Sequence, residues 1–103
     1  MQPPSYDRTQ LHQFGGALPV PRSFEESAAV ILPVPFERTT SYVHGTRHGP
    51  REILAASAQV ELWDEEVGVD VHAKGLYTLP EMDLTASSIE AAIASIRHAA
   101  GSI

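Results

Sequence analysis

Five histidines, His12, His44, His48, His72 and His98, are the first candidates for chemistry. His44 and His48 stand four apart, a spacing that puts two metal ligands on one face of a helix. Gly45, Gly49 and Pro50 interrupt that stretch, so it reads as a loop. No third ligand stands nearby at a recognised spacing, and the two are read as solvated or hydrogen-bonded loop histidines. His98 falls near the end of a helical pattern, where a positive charge suits the helix dipole. Glu81 and Asp83 alternate on what would be extended backbone, so both point the same way, and two carboxylates can hold a divalent ion. A third ligand is again missing. Asp64, Glu65 and Glu66 are consecutive and do not converge; the run reads as a solvated turn closed by Gly68. Gly45-Thr46-Arg47-His48-Gly49 precedes a helix start, Arg47 and Arg51 add positive charge, and helix N-termini bind anions. The stretch matches neither G-x-x-x-x-G-K-S/T nor G-x-G-x-x-G, so its glycines are read as turn and packing residues. No serine stands in a G-x-S-x-G setting. Taken alone, the residues compose no complete catalytic constellation.

The elements that must position these groups are organised around residues 30–53. The apolar run at residues 28–35 does not alternate, which predicts a strand buried on both faces. Pro33 and Pro35 close it, since proline brings no N–H to a ladder. A polar loop follows at residues 36–48. Pro50 suits the first turn of a helix over residues 49–60, with Ile53, Leu54, Ser57 and Val60 on one face. In an open α/β sheet, ligands sit in the loop after a strand's carboxyl end, which makes this loop the expected ligand site. Residues 59–64 fit either an extension of the helix or a short strand. A second strand is predicted over residues 75–79, ended by Pro80, with Glu81-Met82-Asp83 at its carboxyl end. The clearest helix is predicted over residues 87–100, where Ile89, Ala92, Ile93, Ile96 and Ala100 make one apolar stripe. Ser87 and Glu90 suggest a capping box, and Gly101 a stop. Residues 1–27, broken by several prolines and glycines, read as an N-terminal arm with a short helical turn, or as a disordered tail.

The chain of 103 residues, 43% hydrophobic and 19% charged, has ordinary globular composition and suffices for one small domain. Its net charge of −6 repels phosphate backbones, which argues against a nucleic-acid partner. Without cysteine there is no disulfide framework and no cysteine-ligated zinc. No apolar run approaches the roughly 18 residues of a membrane span. The first ten residues do not read as a secretory signal, so a cytoplasmic location is expected. The order β–α–β–α predicts an α/β fold with a parallel crossover pair. A two-stranded parallel sheet leaves both edges open and its apolar faces uncovered. The chain therefore reads as the beginning of something longer, or as an obligate partner of another chain.

The run Pro33-Val34-Pro35-Phe36-Glu37-Arg38-Thr39-Thr40-Ser41-Tyr42, followed by Gly45-Thr46-Arg47-His48-Gly49-Pro50-Arg51-Glu52-Ile53, resembles the opening of the ureohydrolase superfamily, which contains arginases and agmatinases. Ala56-Ser57 and Val60-Glu61-Leu62-Trp63-Asp64-Glu65-Glu66 extend the likeness over residues 28–83, and the wording is most like bacterial agmatinases. The resemblance implies a three-layer α/β/α fold around a mainly parallel sheet. It also implies two manganese ions that lower the pKa of a bridging water and orient it against a guanidino carbon, releasing urea. Agmatine is the implied substrate, polyamine biosynthesis the implied context, and a homo-oligomer, trimer or hexamer, the implied assembly. The superfamily's metal ligands lie in G-G-D-H, D-A-H-x-D and S-x-D-x-D-x-x-D-P motifs, and none occurs in this sequence. No metal-binding or catalytic residue is therefore carried over. Residues 28–103 resemble the N-terminal part of such a domain, incomplete and expected to be inactive by itself. The resemblance places Tyr42, His44, Gly45 and Arg47 on the substrate rim and makes Gly49 and Pro50 the structural start of the following helix. It also implies that the arm packs on the body or on a neighbouring subunit. The rival readings are a non-catalytic assembly module and an anion-binding α/β module.

Overall fold

A computed structural model describes residues 13–16, 23–84 and 88–103. Strand β1 is Ala29–Ile31 and helix α1 is Gly49–Ser57. Two short strands, β2 (Trp63–Asp64) and β3 (Val69–Asp70), lead to β4 (Leu76–Thr78), and the last element is α2 (Ile89–Gly101). β1 and β4 are parallel neighbours, with Ala29, Val30 and Ile31 opposite Leu76, Tyr77 and Thr78. The α/β expectation and the parallel pairing hold, with the β2–β3 hairpin inserted into the predicted order.

The prolines shorten β1 from the predicted residues 28–35, but the two chains stay together beyond the ladder. The Ile31 carbonyl accepts from Leu79 N at 2.9 Å and the Pro33 carbonyl from Met82 N at 3.1 Å. Proline removes a donor and leaves its acceptor, so residues 32–35 still lie along the segment after β4. β1 is not buried on both faces as its sequence predicts: Ala29 is exposed, and Val30 and Ile31 are half-buried. Before β1, the chain passes so close to Gly75 that a Cβ there would lie 2.7 Å from Ser27 Cα. Gly75 also has φ +92°, where side chains are strained.

Helix α1 ends at Ser57, short of the predicted residue 60. The Ser57 hydroxyl donates back to the Leu54 carbonyl at 2.6 Å, and Gln59 and Val60 N–H close turns onto Ala56 and Ser57. Only Leu54 and Ser57 are buried on α1; Ile53 and Val60 of the predicted face are 62% and 58% exposed. The same Ser57 hydroxyl accepts Gly15 N–H at 2.9 Å, and Thr78 Oγ1 accepts Phe14 N–H at 3.0 Å. These bonds tie residues 14–15 of the predicted arm to α1 and β4; residues 1–12 and 17–22 lie outside the described residues.

The ambiguous residues 59–64 resolve as a turn and the strand β2. Asp64 Oδ1 accepts Glu66 N–H at 2.9 Å and Val67 N–H at 3.1 Å, and Gly68 turns back at φ +67°. The predicted acidic turn is therefore built by one of its own carboxylates. Helix α2 is capped by Ser88, whose hydroxyl accepts Ala91 N–H at 3.2 Å, rather than by the expected Ser87, which lies outside the described residues. The predicted stop, Gly101, is the last helical residue, and Ser102 caps the end. Of the predicted stripe on α2, Ala92 is buried and Ile96 half-buried, while Ile93 is 55% exposed. The buried apolar set among the described residues is Leu54, Leu79, Leu84 and Ala92, beside an edge-to-face contact of Phe24 with Tyr77 at 5.6 Å. No helix among the described residues is long and apolar enough to cross a membrane.

Gly75→Ala should lower stability by roughly 2 kcal/mol or more, since the backbone at Glu26 and Ser27 must move and φ is strained. The midpoint of guanidinium chloride denaturation checks this. An unchanged midpoint would show that the segment before β1 does not pack against Gly75.

Candidate functional site

Residues 36–48 leave the carboxyl end of β1 without a strand or α-helix to satisfy their backbone. One side chain takes over part of that role. Glu37 Oε1 accepts Gly45 N–H at 2.7 Å and Arg47 N–H at 3.1 Å. Its Oε2 accepts from the Arg47 guanidinium at 3.0 Å and lies 3.3 Å from His44 Nδ1. The Glu37 side chain is only 6% exposed, although it lies in a polar loop. Gly45 permits this fold-back because its φ is +138°; nothing lies within 4 Å of where its Cβ would be, so backbone conformation rather than space calls for glycine. A single 3-10 turn at Thr46–His48 then feeds α1, with Pro50 in its first turn.

Glu37 is held well below the usual carboxylate range, lowered from 4.5 to about 2. The Gly45 N–H is the first cause and the Arg47 N–H the second, with the Arg47 charge and the His44 ring adding to them against the cost of burial.

The predicted rim residues thus separate into two sets. His44, Gly45 and Arg47 converge on Glu37. Tyr42 stands apart and is 92% exposed. Gly49 and Pro50 start the helix as expected from the sequence, and Gly49 has ordinary helical φ and ψ. Glu37, at the centre of this set, is not among the candidate residues that the sequence offers. Its signal was a carboxylate just past a Pro-x-Pro strand end, with glycine and arginine eight and ten residues on.

Beside this clamp lies a cavity of about 400 Å³ at the carboxyl ends of β1 and β4. Arg47, His48 and Arg51 line it from the α1 side, and Glu81, Met82 and Asp83 from the segment after β4, with Pro35 and Leu84 completing the wall. Arg51 pairs with Glu81 at 3.3 Å. The Arg38 guanidinium donates to the Leu84 carbonyl and fastens the loop to the same segment. Glu81 and Asp83 do share one cavity, as their spacing suggested, but they share it with two arginines. Arg47 is engaged by Glu37, so the glycine-rich stretch is not a free phosphate cradle. The histidines spaced four apart are divided: His44 turns to Glu37, while His48 lines the cavity. Among the described residues, no group of three or more His, Asp or Glu side chains could hold a metal ion. The described residues therefore do not fit the implied manganese pair.

The family model of the arginase family matches residues 27–103, which takes in β1, the clamped loop, the cavity and α2. The chain belongs to the arginase family. Within it, this member is similar to proteins named N(1)-aminopropylagmatine ureohydrolase. One from Synechocystis sp. is 47% identical over 57 residues, covering 54% of this chain and 19% of the relative. Those of two Thermus thermophilus strains are each 32% identical over 77 residues, covering 75% of this chain and 26% of the relative. The arginase-family chain thus spans about a fifth to a quarter of these relatives' length. No solved structure matches it.

The Glu37 shift has a direct consequence with pH. Because the folded value lies below the unfolded one, the clamp contributes in full above about 4.5 and is lost as pH falls towards about 2. Carbon-13 NMR titration of the Glu37 carboxyl should give a midpoint near 2, with the Gly45 and Arg47 amide shifts moving in the same step. A midpoint near 4.5 would mean that the carboxylate is not clamped.

Proposed function

We propose that this chain forms part of a ureohydrolase that releases urea from a guanidino compound of the agmatine type. The observation that carries the reading is the family match through residues 27–103, which includes the loop and cavity at the carboxyl ends of the parallel strands. The relatives' name favours an aminopropyl-substituted agmatine as substrate, with agmatine itself, expected from the sequence, as the shorter member of the class. In this reading Tyr42, His44, Gly45 and Arg47 belong to the rim of the substrate site. The superfamily's ligand motifs do not occur in this sequence, so in this reading the manganese pair is held outside these 103 residues and the isolated chain is inactive. A cytoplasmic homo-oligomer remains part of the same proposal. An anion-binding module is the weaker reading, because Glu37 already holds the Arg47 guanidinium and Glu81 the Arg51 one.

The test is urea release by the parent protein and by the 103-residue chain, from N(1)-aminopropylagmatine, agmatine and arginine. The parent should turn over the first two and the chain none. Chelation should abolish the activity and manganese restore it. A parent that releases no urea from any of the three would contradict the assignment.

A further inference from the structure

We propose that Glu37 is a specificity-determining positioning residue, which neutralises and orients Arg47 at the cavity wall so that the cavity accepts a cationic guanidino ligand. The inference rests on reading the ligand as a guanidino cation.

A carboxylate has about four acceptor sites, and Glu37 uses each: two backbone N–H groups on Oε1, a guanidinium and an imidazole on Oε2. The contacts span from residue 37 to residue 47 and fix both the backbone and the side chain of Arg47. Arg47 then lines the cavity with its charge offset from behind. Arg51, the other cavity arginine, is offset in the same way by Glu81 at 3.3 Å. An arginine without its carboxylate would repel a guanidinium entering the same space, and because the Arg47 and Arg51 side chains are each more than half exposed, salt screens part of that repulsion. The carboxylate offsets the charge and tethers the guanidinium through Nη1 at 3.0 Å. Glu37 acts through Arg47 and does not line the cavity itself.

The two effects separate experimentally. In the parent protein, Glu37→Gln keeps the size of the side chain and removes the charge. The KM for N(1)-aminopropylagmatine should rise about tenfold, the scale of one uncompensated charge contact, with kcat changed far less. Added salt should narrow the difference, because screening acts on charge and not on loop packing. Glu37→Asp should retain most of the affinity, and the double variant Glu37→Gln, Arg47→Gln should recover part of it by removing the uncompensated cation. A KM rise that ignores salt and is not recovered in the double variant would overturn the proposal, as would a fall in kcat at unchanged KM. Calorimetric binding of agmatine makes the same comparison without turnover. Absent urea release with a persisting affinity difference would remove the ureohydrolase reading and support this one. Urea release with equal affinities would remove this one alone.

Discussion

The clamped conformation of residues 36–48 depends on a single buried carboxylate. A loop between a three-residue strand and a nine-residue helix has few backbone partners of its own, yet its N–H groups must be satisfied wherever water is excluded. Glu37 supplies acceptors for two of them and engages the only guanidinium that lies both in the loop and on the cavity wall. Removing it would leave Gly45 N–H and Arg47 N–H without their acceptor and the Arg47 charge without its offset. That dependence links backbone order, side-chain orientation and cavity charge to one residue.

The surroundings of the loop are thin. Few apolar side chains are buried among the described residues, and Ile53, Trp63 and Ile93 are each more than half exposed. Among the described residues the parallel sheet has two strands. Such a body buries little apolar surface for each residue that it orders, so local polar devices carry an unusual share of its organisation. Ser57 holds Gly15, Asp64 folds the hairpin and Ser88 caps α2, each through a side-chain oxygen on backbone N–H. This is consistent with an incomplete arginase-family domain, whose larger relatives are matched over 19% to 26% of their length.

The sequence made some of this legible and not the rest. The parallel pairing of β1 with β4 followed from two apolar runs separated by a helix, and the start of α1 followed from Gly49-Pro50. Helix α2 was recognisable from its stripe to within a few residues. The faces of both helices were less well read, because periodicity says which residues share a side and not whether a neighbour covers it; Ile53 and Ile93 are exposed for that reason. Of the hairpin at residues 63–70, the acidic turn and a possible first strand were legible, but β3 was not, because an Asp side chain and not an apolar pattern brings it back. Glu37 escaped for a related reason. A lone carboxylate in a polar loop looks solvated until the backbone brings Gly45 and Arg47 around it.

Hydrogen–deuterium exchange across residues 36–49 of the unmodified protein at neutral pH tests the clamp most directly. The Gly45 and Arg47 amides should be protected, while Tyr42 and Val43, 92% and 66% exposed, exchange close to the rate of free peptide. Uniformly fast exchange through Gly45 and Arg47 would contradict the account, since it would mean that Glu37 does not hold this loop.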